Sequence, residues 1–139
     1  MANTIQVDIV SAEEAIFSGE AEMLVVSAEM GEVGIAPGHA PFLTGIKPGD
    51  IAVHKGGEAQ HFFVSGGMLE VQPHVITVLA DTVIRGGDLD EAEATAARDR
   101  AEESLKDKQG TPDYAAAAAE LAEASARLSV LKKIKNTAR

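Results

Sequence analysis

The sequence predicts a chain in two parts. Residues 1–87 read as a β-sandwich or flattened barrel of short strands, and residues 88–139 as an antiparallel two-helix hairpin. Three observations predict this. Apolar residues alternate with a period of two through the first part, and Gly, Pro and Asp interrupt it at short intervals. At "RGGDLDE", Arg85 to Glu91, the period lengthens to that of an α-helix and alanine becomes the dominant residue. A chain of 139 residues can bury a core without staples, and with no cysteine it has neither a disulfide framework nor a thiolate metal site.

The strands follow in order. In "IQVDIV", Ile5, Val7 and Ile9 share one face while Gln6 and Asp8 take the other. "EMLVVS", "GDIAVHK", "HFFVSGG", "GMLEV" and "HVITVLA" continue the pattern, rich in Val, Ile and Phe. Gly56-Gly57 between two such runs signals a tight hairpin, and Pro73, which cannot donate to a ladder, marks another turn. Many short strands without intervening helices form a sandwich or barrel.

In the second part, Asp88 is placed to cap the first helix, with Glu91 three residues on, and that helix runs to about Lys108. Gly110 ends it, and Thr111 and Pro112 open the second as cap and first helical residue. Leu121, Leu128, Leu131 and Ile134 mark an apolar seam, while Glu102–Lys106 and Glu123–Arg127 are favourable i,i+4 pairs. Alanine fills both helices, in "EATAA" and "YAAAAAELAEASA". It makes helix cheap, yet a buried methyl contributes only about 0.8 kcal/mol against ~1.5–3 for a buried Leu. Two readings stand open: close helix–helix packing, or a hairpin held loosely to its support.

Charge narrows the function. Net charge is −10, which argues against nucleic acid as a partner. Residues 1–87 carry three basic side chains against eleven acids, whereas Arg127, Lys132, Lys133, Lys135 and Arg139 end the chain without an acid among them. That basic end either complements a helix dipole or docks on an acidic partner. The start lacks the basic-then-apolar pattern of a signal peptide, and no run of roughly 18 apolar residues implies a membrane helix.

Catalytic arrangements fail one by one. His39, His54, His61 and His74 read as half-exposed strand or turn histidines, without the i,i+4 helical spacing of a zinc site. The serines lack a G-x-S-x-G elbow. Glu13-Glu14 and Glu102-Glu103 lie in solvated runs. In "GEVGIAPGHAP" the glycines at 31, 34 and 38 precede no Lys-Ser/Thr pair and no helix, so no phosphate cradle forms. Pro37 and Pro41 stiffen this run into a loop suited to a protein contact, with Glu32 and His39 exposed. The residues alone describe a non-catalytic interaction module, for which a free-standing β-sandwich binding module is one form.

A resemblance sharpens this. "VSAEEAIFSGEAE", "GEVGIAPGHAPFLTGIKPG", "VSGGMLEVQPHVITVLADTVIRGGDLDEAEA" and "LSVLKK" together resemble, nearly end to end, the epsilon subunit of bacterial F-type ATP synthases. The resemblance implies a non-catalytic rotor part of a proton-translocating synthase, peripheral to the cytoplasmic face of the cell membrane. Its sandwich would clamp the gamma subunit and rest on the c-ring. By position, Glu32 would face the c-ring, and His39 and Thr44 the gamma subunit. The hairpin would permit ATP hydrolysis when folded on the sandwich and inhibit it when extended towards the alpha and beta subunits. Arg127, Lys132, Lys133 and Lys135 would then meet an acidic segment of a catalytic subunit, a contact weakened by salt.

Some members of that family bind ATP on the folded hairpin through Ile/Leu-Asp-x-x-Arg-Ala and later arginines. Here Leu89, Asp90 and Ala94 match, and Arg100 and Arg127 align with later arginines, but Glu93 and Glu123 stand at arginine positions. A carboxylate facing a triphosphate repels it, so the expectation is weak or absent ATP binding and no cofactor.

Overall fold

Period-two alternation becomes nine strands in the computed structural model, which describes residues 3–137. They are β1 (Ile5–Ser11), β2 (Ala15–Ala21), β3 (Met23–Ala28), β4 (Gly31–Ile35), β5 (Phe42–Lys55), β6 (Glu58–Val64), β7 (Gly67–Val71), β8 (Val75–Ala80) and β9 (Val83–Arg85). The strand order is β2-β1-β8-β7-β5-β3-β4, with β6 branching from β5 and β9 pairing with β6. β1 and β8 run parallel, and the other pairs are antiparallel.

Curling depends on β5. Its first half pairs with β7 and its second with β6, and β3 follows both halves across a register shift between Val26 and Ala28. Gly49 sits at this bend because a Cβ there would come within 2.7 Å of Ser27 Oγ. The inward residues, among them Ile5, Val7, Leu24, Ile51, Phe62 and Ile76, form the core. Phe17 packs edge-on against Phe62, ring centroids 5.6 Å apart.

The Gly56-Gly57 hairpin forms as the sequence implies, with φ of +61° and +79° at the two glycines. The run Gly31 to Pro41 differs from the expectation of a single loop. Its first five residues are β4, paired residue for residue with β3, so Glu32 lies on a strand and only residues 36–41 form the loop. Val33 and Ile35 explain this, since their alternation continues the sheet.

The helices begin later than expected. A 3-10 turn, Gly86–Asp88, closes through Leu89 N–H to the Gly86 carbonyl, which leaves Asp88 inside the turn. Asp90 is the cap of α1 (Glu91–Asp107) instead, its carboxylate accepting from Glu93 N–H at 3.1 Å. Thr111 and Pro112 likewise precede α2 (Tyr114–Thr137). The Thr111 hydroxyl donates to the Lys108 carbonyl at 2.6 Å, and the first α-type bond runs from Ala117 to Asp113. Gly110, at φ +77°, makes the turn between helices.

The seam differs too. Leu121, Leu128, Leu131 and Ile134 are only partly buried; the buried hairpin residues are Ala94, Ala101, Ala117, Ala124 and Val130. α1 packs on α2 and makes no substantial contact with any strand, so its buried alanines are covered by α2. Small side chains at these positions permit close helix packing, and the question of how tightly the hairpin is held stays open. Glu123 and Arg127 pair at 3.0 Å, whereas Glu102 and Lys106 form no ion pair.

Candidate functional site

Two surfaces stand out, on different parts of the sandwich. The first is an outward apolar row. Met68 of β7 lies opposite Leu79 of β8 and Gly45 of β5, and Leu43 shares the face two residues from Gly45. Leu43, Met68 and Leu79 are 64%, 43% and 55% exposed, a grouping that single scattered apolar residues do not make. The loop of residues 36–41 is pinned by Gly38 N–H to the Pro73 carbonyl, 3.1 Å. In it His39 is half-buried, its Nδ1 donating to the Ala40 carbonyl at 2.7 Å and its ring tilted against Phe42. Thr44 stands opposite the buried Leu69, on the inward side of β5, and its hydroxyl donates to the Gly45 carbonyl. The outward neighbour is Leu43. Sequence reasoning missed the row, although its signal was there: apolar residues at outward positions of strands that otherwise alternate.

The second surface is the outer face of β5 and β6, where α2 lies. Ile51 and Val53, like Phe62 and Val64, point into the core, so Ala52 and Phe63 point away from it. They are buried all the same, at 4% and 0% exposure, because α2 covers them. The Arg127 guanidinium sits 5.2 Å from the centroid of the Phe63 ring, a cation–π contact. Val130, one turn on, is fully buried. At the end of the helix, Ile134 reaches the interdomain turn: a Cβ on Gly86 would lie 2.6 Å from Ile134 Cδ1 and 2.9 Å from the His61 carbonyl.

Polar groups are mixed into this seat. His61 was expected to be half-exposed; its side chain is 10% exposed, because α2 lies over β6. Lys133 Nζ stands 3.4 Å from Glu32 Oε2 and 3.7 Å from Asp50 Oδ2, and Lys135 Nζ 2.6 Å from Glu91 Oε2. Lys132 is exposed. Arg139 lies outside the described residues.

Of the residues matching the nucleotide pattern, the fold brings together Arg100, Glu123 and Arg127. They line a cleft of about 320 Å³ between the helices with Ala97, Glu120 and Ala124. Arg127 is already committed there to Glu123 and Phe63. The other four are absent from that lining: Asp90 caps α1 onto the Glu93 amide, Ala94 is buried in the hairpin, and Leu89 closes the 3-10 turn. Among the described residues no group of three or more His, Asp or Glu is placed to hold a metal, and no helix is long and apolar enough to cross a membrane.

A sandwich with an apolar outward row, and a helical hairpin strapped to another face through a part-polar contact, defines the class of subunits that work through other proteins. Residues 4–86 match the family described as ATP synthase, Delta/Epsilon chain, beta-sandwich domain, and residues 88–132 its long alpha-helix domain. The chain belongs to the ATP synthase delta/epsilon chain family. It is 57% identical to the ATP synthase epsilon chain of Nitrosococcus oceani, covering 97% of each chain. With that of Thioalkalivibrio sulfidiphilus it shares 55%, over the whole of both. In fold it is similar to a chain in the Euglena gracilis mitochondrial ATP synthase, covering 99% of this chain and 82% of that one with a TM-score of 0.71 at 18% identity. A chain in the Tetrahymena thermophila mitochondrial central stalk gives a TM-score of 0.62 at 13%, with 94% and 95% covered.

Proposed function

We propose that this chain is the non-catalytic epsilon-type subunit of the central stalk of a bacterial F-type ATP synthase, peripheral to the cytoplasmic face of the membrane. The sandwich of residues 1–87 docks the gamma subunit through the Leu43–Met68–Leu79 row, with His39 in the adjoining loop, while Thr44, on the inward side of β5, supports Leu43 from behind. Glu32, 60% exposed in its side chain, faces the c-ring. The unit of residues 88–139 is a brake with two positions. Folded on β5 and β6 it leaves ATP hydrolysis free, and extended it brings Arg127, Lys132, Lys133 and Lys135 to the alpha and beta subunits and slows hydrolysis.

One observation carries this reading: α1 touches no strand substantially, so the hairpin's hold on the sandwich is concentrated in α2 and includes a solvated ion pair. Such a pair contributes little, in the range ~0–1 kcal/mol. Deleting residues 88–139 from the reconstituted complex should raise its ATPase rate several-fold while gamma and the c-ring still assemble. Loss of assembly would make the hairpin a strut, and an unchanged rate would leave a coupling piece without a brake.

Nucleotide binding by this hairpin is weak or absent. Glu123 accepts from Arg127 at 3.0 Å, so a carboxylate of the chain itself occupies the guanidinium that a phosphate would need. Titration calorimetry of the full chain should find no ATP heat at micromolar concentrations. A micromolar Kd would overturn the reading, and Glu123→Arg is the variant expected to gain affinity.

A further inference from the structure

Asp50 is the charged residue buried among the described residues, at 6% exposure. Period-two alternation turns it away from the sandwich core, on the same face as Ala52 and opposite Phe63. Both of its oxygens accept from His61 Nδ1, at 3.0 and 3.1 Å. Across the domain contact, Lys133 Nζ lies 3.7 Å from Asp50 and 3.4 Å from Glu32. His61 Nε2 is buried there without a hydrogen-bond partner. Water comes close, since a cleft of about 320 Å³ bordered by Val25, Glu32, Asp50, His54, His61 and Lys133 opens beside them.

A carboxylate desolvated by an element from another domain is an unusual way to fasten that element. Apolar residues of the same volume would hold the helix at least as well, because the charges give up hydration to be there. The arrangement suits a contact that must also come apart, since Asp50 regains water on separation and Lys133 is already half-solvated when docked. We propose that Asp50 and Glu32 form an acidic seat for Lys133 that sets how often the hairpin leaves the sandwich. This rests on the reading of the hairpin as mobile and adds the residues that tune it. It also gives Lys133 two uses, one in each position: the side chain that would meet a catalytic subunit is held on the sandwich until the helix lifts.

The full chain has no cysteine, so spin labels at Lys55→Cys and Ser129→Cys, both exposed and outside the seat, report hairpin position cleanly. In electron-electron distance measurements, Asp50→Asn and Lys133→Ala should each raise the ratio of long to short distances about threefold. Lys133→Arg, which keeps the charge, should leave it unchanged. Gly86→Ala is the charge-independent control, because its Cβ would press on Ile134 and the His61 carbonyl. If Gly86→Ala opens the hairpin while the two charge variants match the parent, the seat does not exist though the hairpin moves. If none of the three opens it, the hairpin is fixed, and the mobile reading fails with the seat.

Discussion

Alanine at Gly67 is expected to remove a large part of the sandwich's stability. Gly67 opens β7 at φ +147°, in the region that side chains avoid, and a Cβ there would lie 2.1 Å from the Leu79 carbonyl oxygen and 2.8 Å from Ala80 Cα. Those are backbone atoms of β8, paired with β7, so they can yield only by parting the two strands. The backbone conformation costs about 1–3 kcal/mol, and overpacking adds a similar amount. Against a total stability of ~5–15 kcal/mol, that is ruinous or nearly so. A thermal melt of the full chain should show Tm lowered on the order of 10 °C or more, or no cooperative transition. Gly87→Ala is the control, since its Cβ would meet nothing within 4 Å. Equal melts for the two variants would contradict the argument. Part of the outward apolar row stands on β7, so the same variant should lose gamma binding.

Much of this was readable from residues alone, and the parts that were not share a cause. β1 could be read because Ile5, Val7 and Ile9 meet one core and nothing covers Gln6 and Asp8 in the same way. The Gly56-Gly57 hairpin could be read because its turn chemistry is local. The seat of α2 could not be assembled, because Asp50, Phe63 and Lys133 come together only when three distant segments meet. A signal was present even so. Ile51-Ala52-Val53 and Phe62-Phe63-Val64 are unbroken apolar runs, the pattern of strands covered on both faces. The same double cover explains His61, which shares the α2-covered face of β6 with Phe63. The α2 seam was misjudged for a different reason. Leucine spacing points to an interior seam, whereas the interior of the hairpin is filled by alanine and Leu121 and Leu128 lie at the margin.

Phe62 and Phe63 are adjacent, equally buried and alike in chemistry, yet their substitutions should fail in opposite ways. Phe62 belongs to the core with Phe17, so Phe62→Ala removes about 3–5 kcal/mol from the sandwich itself. Phe63 faces α2, and a comparable loss falls on hairpin docking instead. Phe63→Ser should therefore keep the sandwich melt close to that of the parent while amide exchange accelerates across α1 and α2. The variant leaves every residue of the hairpin intact, so whatever the extended helices do to the catalytic subunits they can still do. A brake predicts that the assembled enzyme then hydrolyses ATP more slowly, and increasingly so with time at low salt, where the basic end of α2 finds its acidic target. Deleting the hairpin should do the reverse and speed hydrolysis. A strut cannot produce that pair of signs, because loosening a strut and removing it push activity the same way. If Phe63→Ser and the deletion both raise the rate, or both lower it, the two-position brake is wrong whatever the sandwich does.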